Sequence, residues 1–242
     1  MSVRVYLRSP IALAWTLAAV VAVGLVVAAG WRLAGVLAST PAVSNPAFLD
    51  GLGGIAVSIF VGLLALGAAF AVWLPCSVAI AYAVGRSVRE QPTTLAATVD
   101  AVRIRSKPLY RWAKTRIAVG PLADRILTDD DVSPAEVAVG CDSFVVPALA
   151  LDAPTLPFAV ERANRVVPPV GRERVLLVGF GATAVLAIGG AAAGLYDGSA
   201  VPPASLLVAG AIVVGGVLTA ALDVAWRTGV YATADLSDGF ST

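Results

Sequence analysis

Side chains able to do chemistry are scarce in this sequence, and they fall in a few places. Asp129, Asp130 and Asp131 form an unbroken acidic run. An enzyme acting on lipid at a membrane face would draw on that run and its neighbouring arginines. Asp223 and Arg227 stand four residues apart, a spacing that makes an ion pair on one helix face. A carboxylate near a span can also serve as a proton or cation site. Cys76 follows Pro75 inside an apolar run, where a thiol acts as a small hydrophobe. Cys141 lies in a different segment, and pairing the two would need an oxidising compartment. Histidine is absent, which excludes imidazole metal sites and relays. No C-x-x-C, G-x-S-x-G or P-loop pattern occurs. Gly51-Leu52-Gly53-Gly54 follows no strand and reads as loop flexibility. The sequence therefore predicts no catalytic residue, no metal and no cofactor.

The densest charged feature is basic. Arg103, Arg105, Lys107, Arg111, Lys114 and Arg116 are interleaved with Tyr110 and Trp112. Trp and Tyr favour the headgroup level, where Lys and Arg meet anionic lipid. These eight residues are the candidates for contact with a membrane surface or with a protein partner. Nothing else of a nucleic-acid module accompanies them, so no nucleic acid is expected.

The elements that position these groups follow from composition. The chain has 242 residues, of which 58% are hydrophobic and 14% charged, against about 25% charged in an ordinary soluble domain. Mean hydropathy is +0.86. A surface cannot be covered with so little charge in water, so the chain reads as an integral membrane protein. A crossing needs roughly 20 apolar residues. Four stretches qualify: about 11–37, 54–84, 175–196 and 203–222, the last continuing as helix through Arg227. The second exceeds a bilayer and must tilt, kink at Pro75 or protrude. Arg4 and Arg8 precede the first run as in a secretory leader, but the run is longer than a leader core. It reads as an uncleaved first helix, with Arg32 snorkelling near its far end.

The fold class predicted is all-α, a polytopic membrane protein with four transmembrane helices and a cytoplasmic region of short amphipathic helices. Residues 1–85 form one hairpin, 86–173 the cytoplasmic region and 174–242 a second hairpin with a short tail. Orientation comes from Lys and Arg. Residues 86–173 carry 12 basic and 11 acidic residues, and Arg4 and Arg8 lead the chain. The segments 38–53 and 197–202 carry no base. Both termini and the middle segment are therefore expected in the cytoplasm, in a multi-pass protein of the cell membrane.

Three helices are expected in the middle segment. Thr94 caps the first, with Leu95, Val99 and Val102 on one face and the bases offset, followed after Pro108 by a piece over 109–119. Ser133-Pro134-Ala135-Glu136 is a capping box opening the second, which carries Val137, Cys141, Phe144 and Val145 and ends or kinks at Pro147. The third runs over about 156–167. In the spans, Gly190-x-x-x-Gly194 and Ala211-x-x-x-Gly215 have the spacing for close helix packing. It fits packing within the chain better than a homo-oligomer.

Asp142-Ser143-Phe144-Val145-Val146-Pro147-Ala148-Leu149, then Asp152 and the 158–167 helix, resembles the signature of a family of uncharacterised multi-pass membrane proteins of bacteria and archaea. The closing segment Ala225-Trp226-Arg227-Thr228-Gly229-Val230-Tyr231-Ala232-Thr233 is similar to that family's. Such proteins have six spans, with a further apolar hairpin. Here the matching segments are 112–127 and 137–151, and Lys114, Arg116, Asp124 and Arg125 make the first too charged to span. Whether 112–151 forms a membrane-embedded hairpin stays open. The resemblance implies architecture and not chemistry. The functional expectation is a non-catalytic scaffold or assembly partner, contacting the bilayer and a protein partner through 86–173. The alternative is a small permease or channel-like component lined by backbone groups at Pro75 and the glycines.

Overall fold

The computed structural model describes residues 2–45, 52–126, 142–152, 155–166, 172–196 and 204–238. These residues form helices and no strand: α1 (Ser2–Arg8), α2 (Pro10–Ala38), α3 (Pro41–Ser44), α4 (Gly53–Val88), α5 (Leu95–Ile126), α6 (Asp142–Leu151), α7 (Leu156–Arg165), α8 (Arg172–Tyr196) and α9 (Ala204–Asp238). The Asp129–Asp131 run, the capping box at Ser133 and Cys141 lie outside the described residues.

Local chemistry sets the helix ends. Ser9 caps α2, its Oγ accepting from the Ala12 N–H at 3.3 Å, and Pro10 takes the first helical position. After α4, Glu90 adopts a left-handed φ of 56°. The Gln91 N–H then bonds the Arg86 carbonyl and the Glu90 N–H bonds that of Ser87. This is a Schellman ending with glutamate where glycine is usual. It reverses the chain into α5, where the Thr94 hydroxyl accepts from the Ala97 N–H.

Three helices are long and apolar enough to cross a bilayer: α2, α4 and the stretch Val208–Ala234 of α9. Helix α8 occupies the third apolar run, and its apolar stretch among the described residues, Val175–Gly189, is shorter. Helix α2 packs along α4, α8 packs along α9, and α9 joins the pairs by contacting both α4 and α2. Helices α5 and α6 pack on the second half of α4, and α7 packs on α6.

Burial divides α4 in two. Ile55, Ile59, Phe60, Leu63, Leu64 and Leu66 are exposed, whereas Leu74, Val78, Ile80, Ala81, Ala83 and Val84 are buried. At about 1.5 Å per residue, the 36 residues of α4 reach far past a hydrocarbon core of about 30 Å. The excess is clothed by protein. Leu74 and Val78 join Leu109 of α5, Phe144 and Leu149 of α6, Val160 of α7 and Tyr231 of α9 in one core.

Two expectations are corrected. Pro108 does not divide the basic segment, because α5 is one helix of 32 residues. Pro108 removes the donor for the Ile104 carbonyl, but Ile104 is 65% exposed, so that end of the turn lies on an open face. Nor do Leu95 and Val99 define the buried face. Both are exposed, and Thr98, Ala101, Leu109 and Ala113 are buried instead. The small residues let α5 approach α4 closely, and Thr98 accepts a hydrogen bond from the Trp15 Nε1 at 3.0 Å. Pro147 lies inside α6, so of the two outcomes expected there, a stop or a kink, the stop does not occur.

Pro75 shows how α5 is placed. Proline has no N–H, so the carbonyl four residues earlier, Ala71, loses its helical donor. The Tyr110 hydroxyl donates to that carbonyl at 2.8 Å. Replacing Tyr110 by Phe should therefore cost about 1 kcal/mol, read as a lower unfolding midpoint in detergent. In a Pro75→Ala background the restored N–H serves Ala71, and the same Tyr110→Phe change should then cost close to nothing. An equal cost in both backgrounds would show that the tyrosine does not act by capping.

Candidate functional site

Ionisable groups converge where α4, α6, α7 and α9 meet. Asp152 follows the last turn of α6, its N–H bonded to the Ala148 carbonyl. Arg89, at the end of α4, holds it in a two-pronged pair, Nη1 to Oδ1 at 2.9 Å and Nη2 to Oδ2 at 3.0 Å. The fork of a guanidinium matches a carboxylate in this way. Arg162 of α7 adds a longer contact to Oδ2 at 3.7 Å. The buried Tyr231 hydroxyl of α9 lies close to the same carboxylate, without a hydrogen bond of ordinary geometry. Residues 63 apart in sequence, Arg89 and Asp152, thus close the region onto the end of α4.

Burial disfavours the Asp152 anion, but hydrogen bonding and charge from Arg89, with smaller help from Tyr231 and Arg162, outweigh it and hold the carboxyl below its usual range. A carboxylate so held and ringed by donors does not take up a proton near neutrality. Its lone pairs are engaged, which suits a structural lock and not a nucleophile or general base.

A second group adjoins it. Arg86 of α4 and Arg105 of α5 each bring a guanidinium to the ring of Tyr82, 5.8 Å from its centroid. The Arg105 Nε also donates to the Leu149 carbonyl of α6.

The basic segment is therefore split by its helix. Arg105 points inward. Tyr110 reaches α4, and the Trp112 side chain packs against the core. Arg103, Lys107 and Arg111 lie on the exposed face. The side chains of Lys114 and Arg116 lie outside the described residues. Among the small residues, Gly215 meets Thr183 of α8, and Gly179 meets Thr219 of α9: a Cβ on either glycine would come within 2.4–2.5 Å of the opposing threonine. Each threonine hydroxyl bonds back to the carbonyl of its own helix's glycine, at 2.9 and 2.7 Å. The close crossing of α8 and α9 is thus a reciprocal Gly-x-x-x-Thr pair. The surroundings of Gly190 and Gly194 lie outside the described residues, and Ala211 is half-buried. Asp223 and Arg227 form an ion pair within α9.

Two apolar grooves flank Trp31. One, of about 530 Å³, lies between α2 and α4 and is lined by Val27, Gly30, Ala34, Ser58, Ala65 and Leu66. The other, of about 370 Å³, lies between α2 and α9 along Val20, Gly24, Gly210 and Val213. Neither offers a charged group.

Spacing along the chain did not reveal the Asp152 site. Arg86 and Arg89 were visible only as bases after a span. Phe144, Val145 and Leu149 share one buried core with Tyr231. No protein-family model, curated protein or solved structure matches the chain. The class defined by fold and site is thus an all-helical protein with three helices able to cross a membrane and an ion-paired helical layer over α4.

Removing the carboxylate charge tests the lock. Asp152→Asn should cost about 2–3 kcal/mol, the range for a hydrogen-bonded charge pair. Because the folded carboxyl titrates below its unfolded value of about 3.9, its contribution is complete above that pH and is lost as pH falls through the folded value. The wild type should lose its advantage over Asp152→Asn across that acidic window. An advantage independent of pH would rule out the ionised pair.

Proposed function

We propose that the chain is a four-span integral membrane protein in which α8 provides the third crossing. Residues 86–173 and both termini face the cytoplasm, and the protein serves as a non-catalytic scaffold or assembly partner. The family resemblance belongs to the same proposal. The observation that carries it is the use of Asp152: this carboxylate, which among the described side chains gathers guanidiniums from two helices, is engaged in holding the middle segment onto α4.

Orientation is supported by the meeting of charged ends. Tyr6 of α1, Ala12 at the start of α2, Val84 near the end of α4 and Ala225 of α9 share one cluster. Arg8, Arg86 and Arg227 therefore lie toward one end of the bundle, the distribution that marks a cytoplasmic face. The exposed Arg103, Lys107 and Arg111 on α5 give this face a basic surface for a partner or for lipid headgroups. The permease reading drew on backbone groups at Pro75 and at the glycines. At Pro75 the freed Ala71 carbonyl accepts from Tyr110, which leaves the glycines to carry that reading.

In a Cys76→Ala, Cys141→Ala background, cysteines placed at Ser44 and Ser199 should react with an impermeant reagent from outside, and one at Ser106 only after permeabilisation. The reverse pattern overturns the orientation. The scaffold role predicts a stoichiometric membrane partner that survives mild detergent and is lost when Arg103, Lys107 and Arg111 become Glu. Solute flux through liposomes containing the chain alone would overturn it.

A further inference from the structure

The two guanidiniums at Tyr82 are unusual in their surroundings. Arg86 donates to the Pro92 carbonyl at 3.4 Å and its Nε is buried without a partner. Arg105 spends its Nε on the Leu149 carbonyl. Neither forms an ion pair among the described residues, and Asp152 beside them is engaged by Arg89 and Arg162. Each lies 5.8 Å from the same ring centroid, so like charges are gathered and not dispersed. The ring face attracts both cations, but it carries no net charge to neutralise them. Burial works against the Arg105 cation, and the influence of Tyr82 and Asp152 recovers only part of that loss. Both side chains remain half-buried and reachable.

Arg86 is the first charged residue after the uncharged run that begins beyond Asp50, and it follows the protein-clothed half of α4 that runs from Leu74 to Val84. Basic pockets between helices recognise anionic headgroups, and planar guanidinium forks suit phosphate oxygens.

We propose that Arg86 and Arg105, gathered on Tyr82, form a binding site for a phosphate group of net negative charge at this end of the bundle. The proposal needs the chain to lie in a bilayer but does not depend on the scaffold role.

The test uses the full chain purified in neutral detergent. Its unfolding midpoint is titrated with phosphatidylglycerol, phosphatidylcholine and inorganic phosphate separately. Phosphatidylglycerol should raise the midpoint and phosphatidylcholine should not. Arg86→Gln and Arg105→Gln should each weaken the apparent affinity about five- to tenfold. Arg4→Gln, which removes an exposed cation of α1, should leave it unchanged. If inorganic phosphate also protects, and the same two variants abolish this, the site takes a free phosphate. Protection by phosphatidylglycerol alone assigns it to a lipid headgroup. Equal effects of the two lipids, or an equal loss in the Arg4 variant, would overturn the proposal. Should Arg105→Gln fail to fold through loss of its bond to Leu149, Arg86→Gln carries the test, since the polar contact it removes is the long one to Pro92.

Discussion

A backbone carbonyl at membrane depth must find its donor within the protein, because hydrocarbon offers none. Helix α4 breaks this rule at Pro75 and repairs it with Tyr110 from α5. Much of the arrangement follows from that repair. Tyr110 can reach Ala71 only if α5 runs back along α4 after the turn at Glu90. That path brings Leu109 and Ala113 into the core and leaves Arg103, Lys107 and Ile104 outside. The exposed large apolar side chains of α4 precede this point, and most of its buried ones follow it.

The Asp152 cluster fastens the other end of the same layer. Its net value is smaller than its distances suggest, because desolvating a carboxylate and a guanidinium offsets much of their attraction. What it confers is register. A forked guanidinium accepts the carboxylate in one orientation, so α6 is fixed against the end of α4, and α7 follows through Arg162. The leucine of α6 that faces α4 fits the same register, since Gly85 leaves the space that Leu151 fills. Tyr82 and its two guanidiniums lie between these fastenings, which is why their positions are set although no carboxylate among the described residues pairs with them.

Where apolar helices lie in a bilayer, association cannot rely on burial from water, and contact geometry takes over. The α8–α9 crossing shows this. Gly179 and Gly215 each receive the threonine of the opposite helix, and each threonine satisfies its hydroxyl on its own backbone. The small-residue spacing read from the sequence, Ala211 to Gly215, included one participant and missed its partners. Threonine at the other end of the motif is not small by composition. It fits because its hydroxyl folds back onto the helix.

The helices and their apolar runs were legible in the linear sequence, because hydropathy is a local property and a crossing needs a fixed length of it. The caps at Ser9 and Thr94 were local too, and so was the Asp223–Arg227 pair one turn apart. The face that α5 buries was not. Leu95 and Val99 outrank Thr98 and Ala101 in hydrophobicity, but a close approach to α4 needs small side chains at the contact. Nor could the sequence pair Arg89 with Asp152, Tyr110 with Ala71, or Arg105 with Tyr82. Each joins helices separated by a turn or by tens of residues, and each depends on how far one helix slides along another. That offset is decided by the packing of whole surfaces, and only the tertiary structure contains it.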